Sequence, residues 1–195
     1  ANGTLILLFG PNATGALVNQ AMQQITYANS SDAPLASVQI DWIFSDSNSG
    51  MQGSGGALQV TGNLLLSIVA TNDAPVITPV GPTVTFVEGG SAQVIDALIT
   101  VSDVDSANFD TGVLTVSLTQ NGTVDDRLQI GNFGTGPGQI GVAGVNVTYS
   151  GVTIGIFSGG TSGSDPLIVT FNSSASVAAV QEVLASIQFD NVSDN

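Results

Sequence analysis

The chain has 195 residues, 43% of them hydrophobic, with 15 acidic side chains against a single basic one, no His and no Cys, and a formal net charge of −14. Nucleic acid and anionic membranes are bound by Lys and Arg that displace counterions, so neither is expected as a partner. The missing Cys and His exclude disulfide staples and ordinary zinc sites, while a mean hydropathy of +0.38 is ample for a buried core.

The texture is all-β: runs of Val, Ile, Thr and Leu separated by clusters of Gly, Asn, Asp and Ser. Strands are predicted at Thr4–Phe9, Ser37–Phe44, Ala57–Ala70, Thr83–Val87, Ala92–Val101, Val113–Thr119, Gln139–Tyr149, Val152–Phe157, Leu167–Phe171 and Ser186–Phe189. Within Ser37–Phe44, Val38, Ile40, Trp42 and Phe44 share one face, with Gln39 and Asp41 off it. Tyr149-Ser150-Gly151-Val152 reads as a tight hairpin turn. Two short helices are predicted. One is capped by Thr14, with Val18, Met22 and Ile25 on its buried stripe; the other spans Ser176–Ala185, is capped by Ser176, and carries Val177, Val180, Leu184 and Ile187 at helical spacing. No apolar run approaches the ~18 residues that a membrane span requires.

The two helices belong to an internal repeat. Leu5–Asp32 aligns without gaps on Leu167–Asp194 at an offset of 167 − 5 = 162, with ten of 28 positions identical: Leu5, Ile6, Phe9, Ala13, Ala16, Val18, Ile25, Asn29, Ser31 and Asp32. This is the pattern of a tandem array, in which each unit is structural first. The best boundary is Thr71-Asn72-Asp73-Ala74-Pro75, where a long apolar strand meets a Pro. Residues 1–72 then read as the rear part of one repeat, 73–75 as a linker, and 76–195 as the front part of the next, short of counterparts to Ser37–Phe44 and Ala57–Ala70. No signal peptide pattern is present, so targeting information is expected elsewhere or to have been cut away.

Several motifs together resemble the bacterial cadherin-like, immunoglobulin-like tandem repeats of giant secreted adhesin and matrix proteins of the RTX type. They are Asn72-Asp73-Ala74-Pro75, Val87-Glu88, Val101-Ser102-Asp103-Val104-Asp105-Ser106, Gly131-Asn132 through Gly141, Asn146–Gly151, and Phe44–Gly50 followed by Gly53–Leu58. The resemblance covers nearly the whole chain and keeps the family's motif order. It implies an immunoglobulin/cadherin-like β-sandwich with one short helix per repeat, an extracellular or cell-surface location often reached by type I secretion, cell adhesion or a role in a biofilm matrix, and calcium at the junctions. It implies no enzyme. The linker lacks the alternating Asp and Asn of animal cadherins, which implies fewer ions.

Calcium takes roughly six to eight hard oxygen ligands. A junction can supply them from the linker (Asn72, Asp73), from an acid near the first strand (Glu88) and from an Asp-x-Asp turn (Asp103, Asp105), whose i, i+2 spacing sets both carboxylates on one side of an extended chain. The alternative is that Asp103 and Asp105 punctuate a loop and Asp73 caps a turn. Asp46-Ser47-Asn48-Ser49-Gly50 and Asp110-Thr111-Gly112 are oxygen-rich turns that read either as Asx turns or as further ligands. Asp32 and Asp194, at equivalent repeat positions, are caps or ligands. With no Lys to pair with, the carboxylates are expected to stay solvated or bind metal.

Other features read blandly. Gly159–Asp165 is a long hairpin loop, since a β-roll needs several stacked turns. Asp125 and Asp126 are neighbours that point to opposite faces, which is no catalytic geometry. Arg127 is expected to form an internal salt bridge with one of them. The seven Asn-x-Ser/Thr sequons, among them Asn12, Asn121 and Asn146, matter only if the source glycosylates them. Trp42 and Phe44 could stack a sugar or pack in a core.

The resulting expectation is a calcium-stiffened structural or adhesive module whose partners are neighbouring copies or repeats, with a cell-surface or glycan ligand as a further partner. One alternative is a fibre-forming subunit that assembles head-to-tail by strand donation. A carbohydrate-binding module is the other.

Overall fold

The computed structural model describes residues 3–48 and 53–193; Ser49 and Gly50 of the Asp46 turn, and Asp194, lie outside the described residues. The chain divides into two compact units, 1–68 and 69–195. The fold is all-β, built from antiparallel sheets with two short helices.

Unit 1 holds helix α1 (Gly15–Met22) and a hairpin of β1 (Ser37–Ser45) and β2 (Gln59–Ser67). The two strands pair along their full length, from Ser37 opposite Ser67 to Ser45 opposite Gln59. Helix α1 starts where Thr14, in extended backbone, accepts the Leu17 N–H on its hydroxyl (3.3 Å). Its stripe of Val18, Met22 and Ile25 is half-buried, and no residue of α1 is fully buried. The predicted strand Thr4–Phe9 does not form: the segment joins no ladder, and Leu5 is 68% exposed.

Unit 2 contains the remaining elements. They are β3 (Val76–Thr78), β4 (Gln93–Val94), β5 (Thr100–Ser102), β6 (Val113–Val116), β7 (Asp126–Ile130), β8 (Ile140–Ala143), β9 (Asn146–Tyr149), β10 (Val152–Ser158), β11 (Leu167–Phe171), α2 (Val177–Ala185) and β12 (Ile187–Asn191). A five-stranded sheet runs in the order β6-β11-β10-β9-β8, a three-stranded one β4-β12-β7, and a two-stranded one β3-β5. Val147, Ile154, Leu167, Val169, Leu128, Ile187, Val180 and Val183 form one core, with contributions from both larger sheets and from α2. Among the described residues every fully buried apolar side chain belongs to unit 2.

Local sequence explains most of these elements. Leu167, Val169 and Phe171 alternate inward on β11, as period two requires. Tyr149 pairs with Val152 across Ser150 (φ 52°) and Gly151 (φ 81°), the double left-handed backbone of a tight hairpin turn. The predicted strand Gln139–Tyr149 is broken into β8 and β9 at Gly144 (φ 61°). Ala92–Val101 is likewise broken into β4 and β5, around Asp96. Strands β3 and β7 were not anticipated; β7 opens on Asp126 and Arg127, and an Asp normally argues against a strand. Helix α2 is capped by the Ser176 hydroxyl, which accepts the Ala179 N–H (3.2 Å), and it buries Ala179, Val180, Val183 and Leu184. Ser176→Ala is expected to lower the stability of unit 2 by about 1 kcal/mol, read from the urea midpoint with an unchanged slope.

The repeat survives as geometry in two places. Thr14 and Ser176, 162 positions apart, cap their helices with the same hydroxyl-to-third-residue bond. Asn29 and Asn191, at the same offset, each accept the N–H two residues on, from Ser31 (2.8 Å) and Ser193 (2.9 Å).

Candidate functional site

Asp73, Asp103 and Asp105 are brought together at the start of unit 2. The Asp73 N–H donates to Asp105 Oδ2 (3.1 Å) across 32 positions of sequence, tying the linker to the Asp-x-Asp turn. Within the turn, Asp103 Oδ1 accepts the N–H groups of Asp105 (3.1 Å) and Ser106 (2.9 Å). Desolvation pushes the Asp103 carboxyl pKa up, but the Ser106 and Asp105 bonds outweigh it, and the net direction is down. Asn72 turns its Nδ2 onto the Asp73 carbonyl (2.9 Å). The turn is therefore the loop punctuation of an Asx motif and also a meeting of carboxylates.

The other predicted ligands are placed elsewhere. Glu88 Oε1 accepts the Ser193 hydroxyl (3.4 Å). Asp46 lies in unit 1, where its Oδ1 accepts the N–H groups of Asn48 (3.2 Å) and Leu58 (2.8 Å), an Asx turn that also closes the β1–β2 connection. Asp110 follows Asn108, whose Oδ1 takes its N–H (3.1 Å), and leads into Thr111 at φ 63°. Among the described residues no three acidic side chains form a group that could hold a metal ion by themselves. The residues fit calcium only in part: the Asp103 and Asp105 side chains meet in the turn, while Asp73 reaches it through its backbone N–H, so the hard oxygens placed together are fewer than the roughly six to eight that a closed site takes. Carbonyls or water would have to supply the rest.

The expectation that unpaired carboxylates stay solvated or bind metal is corrected at Asp126, which is buried among hydrogen-bond donors; part-exposed carboxylates also capture backbone N–H groups. Asp96 is the clearest case. Its Oδ2 accepts from Val80 (2.8 Å) and Gly81 (2.9 Å) and its Oδ1 from Leu98 (2.9 Å). The Gly81 bond is the main cause of its lowered pKa, opposed by desolvation and assisted by the other N–H groups. A Cβ at Gly81 would stand 2.7 Å from Asp96 Oδ1, so a side chain there would push the carboxylate out of this approach. Asp165 takes both the hydroxyl (2.6 Å) and the N–H (3.2 Å) of Thr161, which lower its pKa and close the predicted Gly159–Asp165 hairpin loop between β10 and β11. No sequence signal pointed to Asp96, because two of its partners lie 15 and 16 residues away.

Asp126 is the buried acid of unit 2, at 6% exposure. One carboxylate oxygen accepts the Thr123 N–H (2.6 Å) and the other the Asn191 Nδ2 (2.7 Å), which joins β7 to β12. Burial raises its pKa; the bonds from Thr123 and Asn191, with the Arg127 charge, more than offset this and leave it lowered. The predicted Arg127 salt bridge is corrected: Nη1 donates to the carbonyls of Val124 (2.7 Å) and Asp126 (2.8 Å).

Trp42 is half-buried, and Phe44 meets Phe9 edge-to-face at 6.5 Å. Among the described residues no helix is long and apolar enough to cross a membrane. No protein-family model, no curated protein and no solved structure matches this chain.

Proposed function

We propose that this chain is a structural, adhesive module of an extracellular tandem array, of the immunoglobulin/cadherin-like sandwich type, with calcium stiffening the junction between repeats. The observation that carries this reading is the recurrence, at one offset of 162 residues, of the same helix cap and the same Asn turn in both units. A repeated frame that conserves caps and turns is a device for building length. The acidic surface, with one Arg and no Lys, suits a secreted matrix that gathers cations.

Calcium would be held by Asp73, Asp103 and Asp105, with Asn72 beside them. Its chemistry there is charge neutralisation: it removes the repulsion between carboxylates and fixes the linker against the turn. A ligand that binds the folded junction alone stabilises it by RT ln(1 + [L]/Kd), about 1.4 kcal/mol at a tenfold excess over Kd. The test is a thermal melt in calcium and in chelator at equal ionic strength. A higher Tm in calcium, abolished by Asp103→Asn with Asp105→Asn, is the expected result. An identical Tm in both conditions would remove calcium from the proposal.

A further inference from the structure

We infer that Asn121–Gly122 is a site of spontaneous covalent modification, at which the Asn121 amide is converted to aspartate and isoaspartate, and that the isoaspartate form releases the clamp on the buried Asp126. The inference goes beyond the repeat-module reading and does not depend on it.

The reaction needs a side-chain amide free to turn onto the next backbone nitrogen, and a next residue with no side chain in the way. Asn121 supplies the first and Gly122 the second. Asn121 is exposed, lies outside every helix and strand, and takes the left-handed backbone (φ 57°) that Asn tolerates better than most residues. Among the described residues neither its amide nor the Gly122 N–H has a hydrogen-bond partner, and no other Asn is followed by Gly. Other Asn side chains of unit 2 are engaged. Asn132 exchanges bonds with the Val142 N–H (3.2 Å) and carbonyl (3.3 Å), Asn172 bonds Thr153 and Ser174, and Asn191 bonds Asp126 and Ser193. Asn146 has no such bond, but it lies in the β9 ladder and the β-branched, buried Val147 follows it.

The Gly122 nitrogen attacks Asn121 Cγ. The new N–C bond closes a succinimide ring, the Cγ–Nδ2 bond breaks, and Nδ2 leaves as ammonia with the Gly122 amide proton. Water then opens the ring. Cleavage of the new bond gives aspartate in the original chain. Cleavage between the nitrogen and the Asn121 main-chain carbonyl gives isoaspartate, in which the chain runs through Cβ and Cγ. By either route water is consumed, ammonia is released and a negative charge is gained, with no oxidation or reduction.

The contacts behind the turn give the change a consequence. Gly122 packs so closely on Gly163 that a Cβ there would stand 2.7 Å from the Gly163 carbonyl oxygen. The next residue, Thr123, accepts the Gly163 N–H on its carbonyl (2.7 Å) and donates its own N–H to Asp126 Oδ2 (2.6 Å). An isoaspartate inserts a methylene into the main chain immediately before these contacts. The lengthened backbone no longer seats Gly122 on Gly163, and the Thr123 N–H moves off Asp126. The new carboxylate also adds charge to a segment that already carries Asp125 and Asp126.

The test holds the full chain, made without glycans, warm at neutral pH for weeks, both folded and in urea. Electron-transfer mass spectrometry, which separates isoaspartate from aspartate, then maps every Asn. In the folded chain Asn121 should lose its amide ahead of every other described Asn, at a rate close to that in the unfolded chain, with isoaspartate as the main product. The urea midpoint of the aged protein should fall in step with its isoaspartate content. Asn121→Gly keeps the left-handed backbone and has no amide to lose, so its midpoint should hold through the same incubation. Asn2–Gly3 is present in both chains and cancels in the comparison. An Asn121 amide that survives in the folded chain while the unfolded chain loses it would overturn the site. An aged chain that loses no more stability than Asn121→Gly, or a fresh Asn121→Asp chain whose midpoint is already as low as the aged one, would overturn the release of Asp126 by the lengthened backbone.

Discussion

Leu167→Ala is expected to destabilise unit 2 by about 2–5 kcal/mol, whereas Leu5→Ala, the same repeat position, should change stability by less than about 0.5 kcal/mol. The two leucines open identical Leu-Ile dipeptides, yet Leu167 is fully buried and Leu5 is 68% exposed. The difference lies in their neighbours. Leu167 sits on β11 between β6 and β10, opposite Val116, with Val169 and Phe171 continuing the inward row. Removing its side chain leaves a cavity that two flanking strands hold open, so the transfer and cavity terms add. Around Leu5 no strand supplies such walls, and truncation there removes surface that water already reaches. Phe171→Ala against Phe9→Ala extends the comparison with a smaller contrast, because Phe9 is 39% exposed and meets Phe44 edge-to-face. Urea unfolding of the four variants checks it. Equal losses at Leu5 and Leu167 would mean that residues 5–9 are covered in solution.

That pair also marks how far the sequence could be read. Period-two alternation identified β1 closely, apolar runs bounded by turn residues identified β10 and β11, and helical spacing with a hydroxyl cap identified both helices. These signals are local: a strand's inward row and a cap's oxygen are set within a few residues. Thr4–Phe9 has the same local signal as β11 and forms no strand, because ladder formation needs partners that pattern cannot supply. Thr83–Val87 fails for the same reason. Strand β7 was invisible because its stability comes from Asp126 bonding Asn191 and Thr123, and from Leu128 and Ile130 reaching the core. At the candidate site, the linker and the Asp-x-Asp turn were legible as motifs, and they do meet through Asp73 and Asp105. The roles of Asp96 and Asp126 were not, since a carboxylate's choice between water, metal and a distant N–H is made by tertiary structure.

Asp126→Ala should cost unit 2 about 1–3 kcal/mol, because it removes a buried carboxylate that accepts from the Thr123 N–H and the Asn191 amide and leaves these part-buried donors without it. Its titration gives a second readout. The folded pKa of Asp126 lies below the ordinary carboxylate value, so the unfolded chain takes up this proton first as pH falls. The stabilisation is therefore complete above the unfolded pKa of about 3.9 and is lost as pH drops through the lower folded value. Asp96, Asp103 and Asp165 are lowered in the same direction and lose their contributions in the same window. An opposing effect acts at the same time: protonation relieves the self-repulsion of a chain at −14, which favours the compact state. The two are separable, since Asp126→Asn removes one linked proton while changing the total charge by only one. Urea midpoints taken from pH 7 down to pH 3 should fall more gently for Asp126→Asn than for the parent, with the curves converging at the acid end. Salt should shift both curves together, because screening acts on the shared repulsion and hardly on a buried hydrogen bond. Parallel curves at every pH would show that the Asp126 carboxylate is not held by Thr123 and Asn191 in solution.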